Sequence, residues 1–343
     1  MKVFQHKAQL GSGLGRAPLA LGLTFFRYMR AIEERGLQDE GDMSVDEKPK
    51  QNTEETHVLD PRPLLAGQTA EQAFTAIATE CCNRIDRYLL IFLDSEDHAG
   101  PHKTRVALRR LTTALDAFGA ILKQKEARQL RSEAKLIFRA LGDVRDSDVL
   151  LAARSDGSAP RRLVTANIRL RAKVRAALRK RKAVAFAPAL KRRLAENRLF
   201  RAKSPGLKAR SANVSLVATS ALADAWGACL AFGPDIAALS DKKRHALRKR
   251  LKTYRYLAEF FAPLWSDSEG SNPLWPDTTW PDTRRSLQVL QDRLGQLNDL
   301  SLAQHRLGSS IADDHAKAES LTAASTLWRD LVARDPFWRP IRD

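Results

Sequence analysis

Two short motifs occur twice along this chain, in the same order, and any fold has to accommodate that recurrence. His102-Lys103-Thr104-Arg105-Val106-Ala107-Leu108-Arg109 aligns with His245-Ala246-Leu247-Arg248-Lys249-Arg250-Leu251-Lys252 at an offset of 143 residues, which also places Phe118 on Phe261. Leu141-Gly142-Asp143-Val144-Arg145-Asp146 aligns with Leu294-Gly295-Gln296-Leu297-Asn298-Asp299 at an offset of 153, and Arg131 falls on Arg284. The ten additional residues fit in a stretch, 266–283, that contains Pro273, Pro276 and Pro281. An internal duplication is the economical reading, giving two pseudo-symmetric four-helix units near 69–200 and 212–335.

Past residue 66 the chain shows helical spacing of apolar residues and no sustained period-two alternation, so an all-α fold is predicted. Helices are expected over 69–94, 101–123, 126–153 with a break at Gly142, 160–183, 186–199, 212–232, 237–264, 283–308 with a break at Gly295, and 314–334. Turn clusters separate them: Ser155 to Pro160, Ser204-Pro205-Gly206, and the Pro-rich stretch. Pro160 belongs at a first helical position, where its missing N–H costs nothing. Gly142 and Gly295 would interrupt their helices, leaving Asp146 and Asp299 to cap the next segment or orient an arginine, with Arg145 a candidate contact.

On a helical wheel at about 100° per residue, Leu108, Leu111, Leu115, Phe118 and Leu122 share one side, while His102, Arg105 and Arg109 lie roughly opposite. The second copy repeats the arrangement. Leu247, Leu251, Tyr254, Phe261 and Trp265 are apolar, and His245, Arg248, Lys252 and Arg255 form the basic face. A single basic stripe is ordinarily a solvated helix face, but a solvated face has no reason to keep histidine and arginine at matching offsets. The following helix adds Arg131, Lys135 and Arg139 on one face. Long cations on neighbouring helices repel unless an anion lies between them. A mixed lining of bidentate arginine and point-charge lysine suits a flexible chain of phosphates, and histidines beside a polyanion would gain protons and donate to it.

Charge is concentrated where these stripes lie. The chain carries 58 Lys+Arg against 40 Asp+Glu, a net +18, yet residues 101–260 alone hold 38 basic and 12 acidic side chains while both flanks are mildly acidic. Such a block points to a polyanion partner. Its densest part, 161–210, has 18 basic residues and the single acid Glu196, with Arg171, Arg175, Arg179 and Lys182 forming another helical stripe. That density alone would suit nucleic acid, but Phe186 and Phe200 are its only aromatics, leaving few platforms for bases to stack on.

Signals for catalysis are thin. The chain has no phosphate-binding Gly-Lys-Ser/Thr loop, no His-Glu-x-x-His helix and no Gly-x-Ser-x-Gly elbow. Gly11-Ser12-Gly13-Leu14-Gly15 is no dinucleotide fingerprint, because no strand precedes it. His102 and His245 lack a second ligand at metal-binding spacing and sit among cations, so neither a metal nor another cofactor is expected. Cys81, Cys82 and Cys229 are too few for a disulfide framework, which favours a reducing compartment such as the cytoplasm. The longest apolar run, Tyr88 to Leu93, is far short of the roughly 18–20 residues a bilayer span needs. Residues 1–65 read as an extension, acidic and polar over 36–60, with 1–42 expected to lack an independent fold.

Taken together, Pro101 to Leu111, Leu141 to Leu150, His245 to Tyr256, and Leu287-Gln288 through Leu294 to Asp299 resemble the CHAD domain, the conserved histidine α-helical domain, over about residues 66–338. The resemblance implies two helical bundles enclosing a central basic groove or pore that binds inorganic polyphosphate, in proteins that associate with cytosolic polyphosphate granules. By position it implies phosphate contacts from His102, Arg105 and Arg109, from His245, Arg248, Lys252 and Arg255, and from Lys135 and Arg139. The stripes read from the residues add Arg131, Arg175, Arg179 and Arg284. Thr112 departs from the family pattern, standing where a basic residue would match Arg255. No Glu-x-Glu-x-Lys motif of the triphosphate-tunnel partner domain is present, so triphosphate hydrolysis is not implied. The expectation is therefore a non-enzymatic polyphosphate-binding protein without a membrane partner. The alternative is a nucleic-acid-binding helical protein, with nucleic acid otherwise only a weaker competitor.

Overall fold

The computed structural model describes residues 64–65, 67–152, 160–265, 279–307 and 311–338. The expected N-terminal extension and most of the Pro-rich stretch lie outside them. Among the described residues the chain forms ten α-helices, α1 Ala70–Asp94, α2 Ala99–Ala117, α3 Gln124–Ala152, α4 Arg161–Lys180, α5 Phe186–Ala195, α6 Gly206–Ser211, α7 Val214–Leu230, α8 Asp241–Phe261, α9 Thr279–Leu307 and α10 Ile311–Ala333. Two isolated bridges are the only extended pairings among these residues. The all-α class follows from the sequence; several boundaries do not.

Helix α1 starts from a capping box, with the Thr69 hydroxyl accepting from the Gln72 N–H and the Gln72 side chain accepting in return from the Thr69 N–H. It buries Phe74, Ile77, Cys81, Ile85, Leu89 and Phe92 at helical spacing. Helix α2 ends at 117 rather than 123 because Phe118 leaves helical geometry (φ −96°, ψ 18°) and packs its ring against Phe74 at 5.5 Å and Phe261 at 5.9 Å. Helices α4 and α5 also stop early, at Lys182 and Asn197, whose φ values of 52° and 54° no helix continues through. Helix α8 starts at 241 rather than 237, since the Asp235 carboxylate accepts from the Ala237 N–H at 3.0 Å and holds a turn there. The six-residue α6 was not expected from the sequence.

The expected breaks at Gly142 and Gly295 do not occur: α3 and α9 run unbroken through both, so no new helix starts after either glycine for an aspartate to cap. Glycine costs only about 1 kcal/mol inside a helix, which packing readily outweighs. Gly295 serves close approach instead, because a Cβ there would sit 2.9 Å from Arg248 Nη2.

The chain divides into two compact units, the smaller containing residues 142–152 and 160–174, the larger 64–141 and 175–338. In the smaller unit, Arg171 Nη1 donates to both carboxylate oxygens of Asp148 at 3.0 Å, and the Asn167 amide donates to Asp148 and to Ser147, each at 2.9 Å. Arg171 and Asp148 are only 1% exposed. Arg171 is therefore not a member of a free basic stripe; it joins α3 to α4.

In the larger unit, positions related by the sequence offset meet each other. The Ala70 N–H donates to Ala212 O at 2.8 Å while the Val214 N–H donates to Gln68 O at 3.0 Å, a reciprocal pair that flanks Thr69 and Asn213, which are 144 apart and so within one residue of the motif offset of 143. Both flanked residues are N-caps, Thr69 of α1 and Asn213 of α7. Phe118 and Phe261, 143 apart, stack in the α2–α8 packing.

Candidate functional site

Helices α2 and α8 carry the two histidine-led motifs and pack on one another, so their basic faces can converge. Their buried residues explain the orientation: Ala107, Leu108, Leu111 and Leu115 on α2, and Leu247, Leu251, Tyr254 and Phe261 on α8, lie inside and leave the arginines on the other side. Arg105 Nη1 donates to the Phe138 carbonyl of α3 at 2.8 Å. Its guanidinium lies 4.0 Å from the Phe138 ring centroid, with that of Arg109 at 5.0 Å. Arg248 Nε donates to the Gln291 carbonyl of α9 at 3.2 Å. Residues 105 and 248 are related by one offset and 138 and 291 by the other, so each motif anchors its arginine on the same turn of the next helix.

Lys252 is where the two faces come together. Burial, and then the positive charges of Arg248, Arg109, Arg255 and Arg105 in that order, lower its ammonium from the usual lysine value to about 8. Two of these guanidinium groups belong to α8 and two to α2. Position 109 is the counterpart of 252, so equivalent residues of the two motifs share one electropositive neighbourhood.

Further along the same helices the charge is compensated. Glu259 pairs with Arg110 of α2 and lies 3.6 Å from Arg255 Nε, while Arg255 Nη1 donates to the Gln288 side chain. Arg255 is thus held by its own helix and by α9, and Thr112, its counterpart, bonds only the Arg109 carbonyl at 2.9 Å. Glu259 escaped sequence reasoning, and its spacing from Arg255, i to i+4, is the signal that would have found it.

The remaining expected contacts separate into two groups. His102, Lys135, Arg139 and Arg284 are exposed on α2, α3 and α9. His245 is partly buried, with Nδ1 lacking a hydrogen-bond partner among the described residues. Burial and the charges of Lys249, Arg248 and Lys252 push its pKa down, against a hydrogen bond with Asn298 that raises it.

Arg131, Arg175 and Arg179 already have partners inside the fold. Arg131 grips Asp116 at 2.7 Å and the Leu115 carbonyl at 2.8 Å. Arg175 donates to the Phe92 carbonyl at 2.8 Å, to the Ser95 carbonyl and to Glu96. Arg179 donates to the Leu93 carbonyl at 2.7 Å and to Asp94 at 3.0 Å. These carbonyls end α1, where no backbone donor remains for them and positive charge is favoured. Elsewhere in 161–210, Lys191 pairs with Asp86, Arg193 with Glu126 and Arg210 with Glu71. Part of the densest charge in the sequence is thus structural, while Arg161, Arg169, Lys173, Lys180, Arg181 and Lys182 are exposed.

The CHAD domain family model matches residues 76–308. This chain belongs to the CHAD family. The matched region contains all the arginines and lysines named above. Among solved structures, the crystal structure of the CHAD domain from the plant Ricinus communis is similar at 22% identity and a TM-score of 0.55, over 80% of this chain and 93% of that one. The likeness is one of fold. No curated protein sequence matches the chain. Among the described residues no helix is long and apolar enough to cross a membrane, and no His/Cys/Asp/Glu cluster is placed to hold a metal ion.

Proposed function

We propose that this CHAD protein binds inorganic polyphosphate without turning it over, at a basic groove centred on Lys252 and formed by duplicated helical units, and that it acts at cytoplasmic polyphosphate granules. The carrying observation is the convergence of Arg105, Arg109, Arg248 and Arg255 on one half-buried lysine. Cations gathered closely enough to add to the effect of burial on a neighbour's proton affinity destabilise the free protein, and a chain of phosphates relieves that repulsion at every contact. Each charge-assisted bond contributes roughly 1.5–3 kcal/mol. Exposed Lys135, Arg139 and Arg284 extend the basic surface along α3 and α9.

The test is a set of binding isotherms with polyphosphates of increasing length at several salt concentrations. Affinity should rise with length and fall steeply with salt. Indifference to either would defeat the proposal. Excess polyphosphate should displace DNA or RNA far better than the reverse, because the stretch best suited to nucleic acid in the sequence has only Phe186 and Phe200 for bases to stack on. Release of orthophosphate during these measurements would contradict the non-enzymatic part.

A further inference from the structure

Away from the paired motifs, the turn between α2 and α3 meets the segment between α5 and α6 at a concave basic corner. We propose that this corner binds a single phosphate group, carried by orthophosphate or by a phosphomonoester, with Arg201 as its anchor and Lys123 and Lys203 beside it. The inference is independent of the polyphosphate reading, because the two sites share no residue.

A cavity of about 390 Å³ is lined there by Lys123 and residues 201–206, a size suited to a small molecule. The lining holds three cations, the Ser204 hydroxyl and no carboxylate. Its backbone is pinned on both sides. The Lys123 N–H donates to the Leu199 carbonyl at 2.8 Å and the Arg201 N–H to the Ile121 carbonyl at 2.9 Å. These bonds pair Leu122 with Phe200, each only 1% exposed.

Arg201 is held so that one edge of its guanidinium stays available. Its Nε donates to the Leu122 carbonyl at 2.9 Å, and Nη1 and Nη2 have no hydrogen-bond partner among the described residues. The stem runs against Gly206, where a Cβ would come within 2.6 Å of Arg201 Cδ, so only glycine admits the side chain in this position. Lys123 Nζ spends one N–H on the Arg198 carbonyl at 2.9 Å and keeps two. Lys203 is exposed. Glu71 is joined to this corner through Arg210, which donates to the Arg201 carbonyl at 3.1 Å, but both Glu71 oxygens are taken by that guanidinium, at 2.6 and 3.0 Å. The corner therefore keeps its positive charge.

The chemistry of the lining selects the ligand class. A tetrahedral phosphate offers two oxygens to the Nη pair and a third to a lysine or to the Ser204 hydroxyl, whereas a carboxylate has only the first two. Because Arg201 is fixed before the ligand arrives, little side-chain freedom is lost on binding.

The test follows backbone amides of the full chain by NMR during titration with orthophosphate, glycerol 3-phosphate or acetate at constant ionic strength. Both phosphates should shift the amides of residues 201–206 saturably, and acetate should bind at least about tenfold more weakly. Tighter binding of orthophosphate assigns the free ion as ligand, and tighter binding of glycerol 3-phosphate assigns the ester. Equal affinity for acetate, shifts that never saturate, or shifts on α2 and α8 without any at 201–206 would each overturn the proposal. Arg201→Lys keeps the charge but removes the fork and should weaken phosphate binding about tenfold. Lys203→Gln, at an exposed position where the fold is not at stake, should weaken it a few-fold. Phosphate affinity equal to the parent in Lys203→Gln and in folded Arg201→Lys would place the anion elsewhere.

Discussion

The two most basic regions of the larger unit use the same side chains to opposite ends. At the end of α1, Arg175 and Arg179 meet five carbonyl or carboxylate partners within their own fold, and their charge is neutralised locally. Between α2 and α8, Arg105 and Arg248 donate to the Phe138 and Gln291 carbonyls, Arg109 lies over the Phe138 ring, Arg255 is held by Glu259 and Gln288, and their charge still reaches Lys252. Residue type therefore does not separate a structural stripe from a ligand-facing one. The supply of acceptors nearby does, and helix C-termini supply many.

The comparison is broken most severely through the smaller unit, where compensation is complete and buried. Asp148→Ala leaves Arg171 charged without its partner and should lower unfolding free energy by about 3–5 kcal/mol, read from urea denaturation. Asp148→Leu with Arg171→Met should recover most of that loss. If the single variant were as stable as the parent, the pair would not be holding α3 to α4.

Arg109→Gln with Lys252→Gln removes one cation of each motif from the α2–α8 cluster. We expect polyphosphate affinity to fall by about 10- to 100-fold, about 1.4–2.8 kcal/mol, with helicity unchanged by circular dichroism. Unchanged affinity would place the ligand elsewhere.

Lys252→Met sharpens the contrast, because a residue maintained against repulsion should stabilise when its charge is removed, here by about 1 kcal/mol at pH 7. The sign with pH follows from the depressed lysine. Between its folded value of about 8 and the ordinary value of 10.5 the unfolded chain binds the extra proton, so stability rises with pH across that window. The charged lysine's cost is fully present below the folded value and disappears toward the unfolded one. This component of the pH profile should vanish in Lys252→Met, and its persistence would reassign the titration.

The smallest effect tests the seat of Arg248. Gly295→Ala places a methyl 2.9 Å from Nη2 and should displace the guanidinium, weakening polyphosphate binding a few-fold while adding up to about 1 kcal/mol of helix propensity. Binding equal to the parent would show that the arginine's position there is unimportant.

Helix type and order were legible in the sequence because apolar spacing fixes them, and the motif offsets located the residues that meet in the fold. Phe118 with Phe261 and Arg109 with Lys252 are offset pairs found in one neighbourhood. What stayed hidden depended on partners distant in sequence. Nothing local to Arg175 reveals that it reaches the Phe92 carbonyl, and nothing local to Gly295 reveals a guanidinium overhead. Read from the sequence alone, the glycine suggested a helix break, whereas spatial crowding explains it. The ends of α4 and α5 were misplaced for a different reason: Lys182 and Asn197 adopt left-handed geometry, which a lysine does not announce and an asparagine past a helix end does.

The contact between Phe118 and Phe261 bears on what kind of ligand the proposed site would favour. Strands of nucleic acid have a 5′ and a 3′ end, and a receptor reading them gains from being different at its two ends. A linear phosphate polymer is the same read in either direction. Motifs that face each other across a shared aromatic contact would receive such a polymer in either orientation, doubling the productive encounters; the Thr112 and Arg255 mismatch is the place where that indifference would break down.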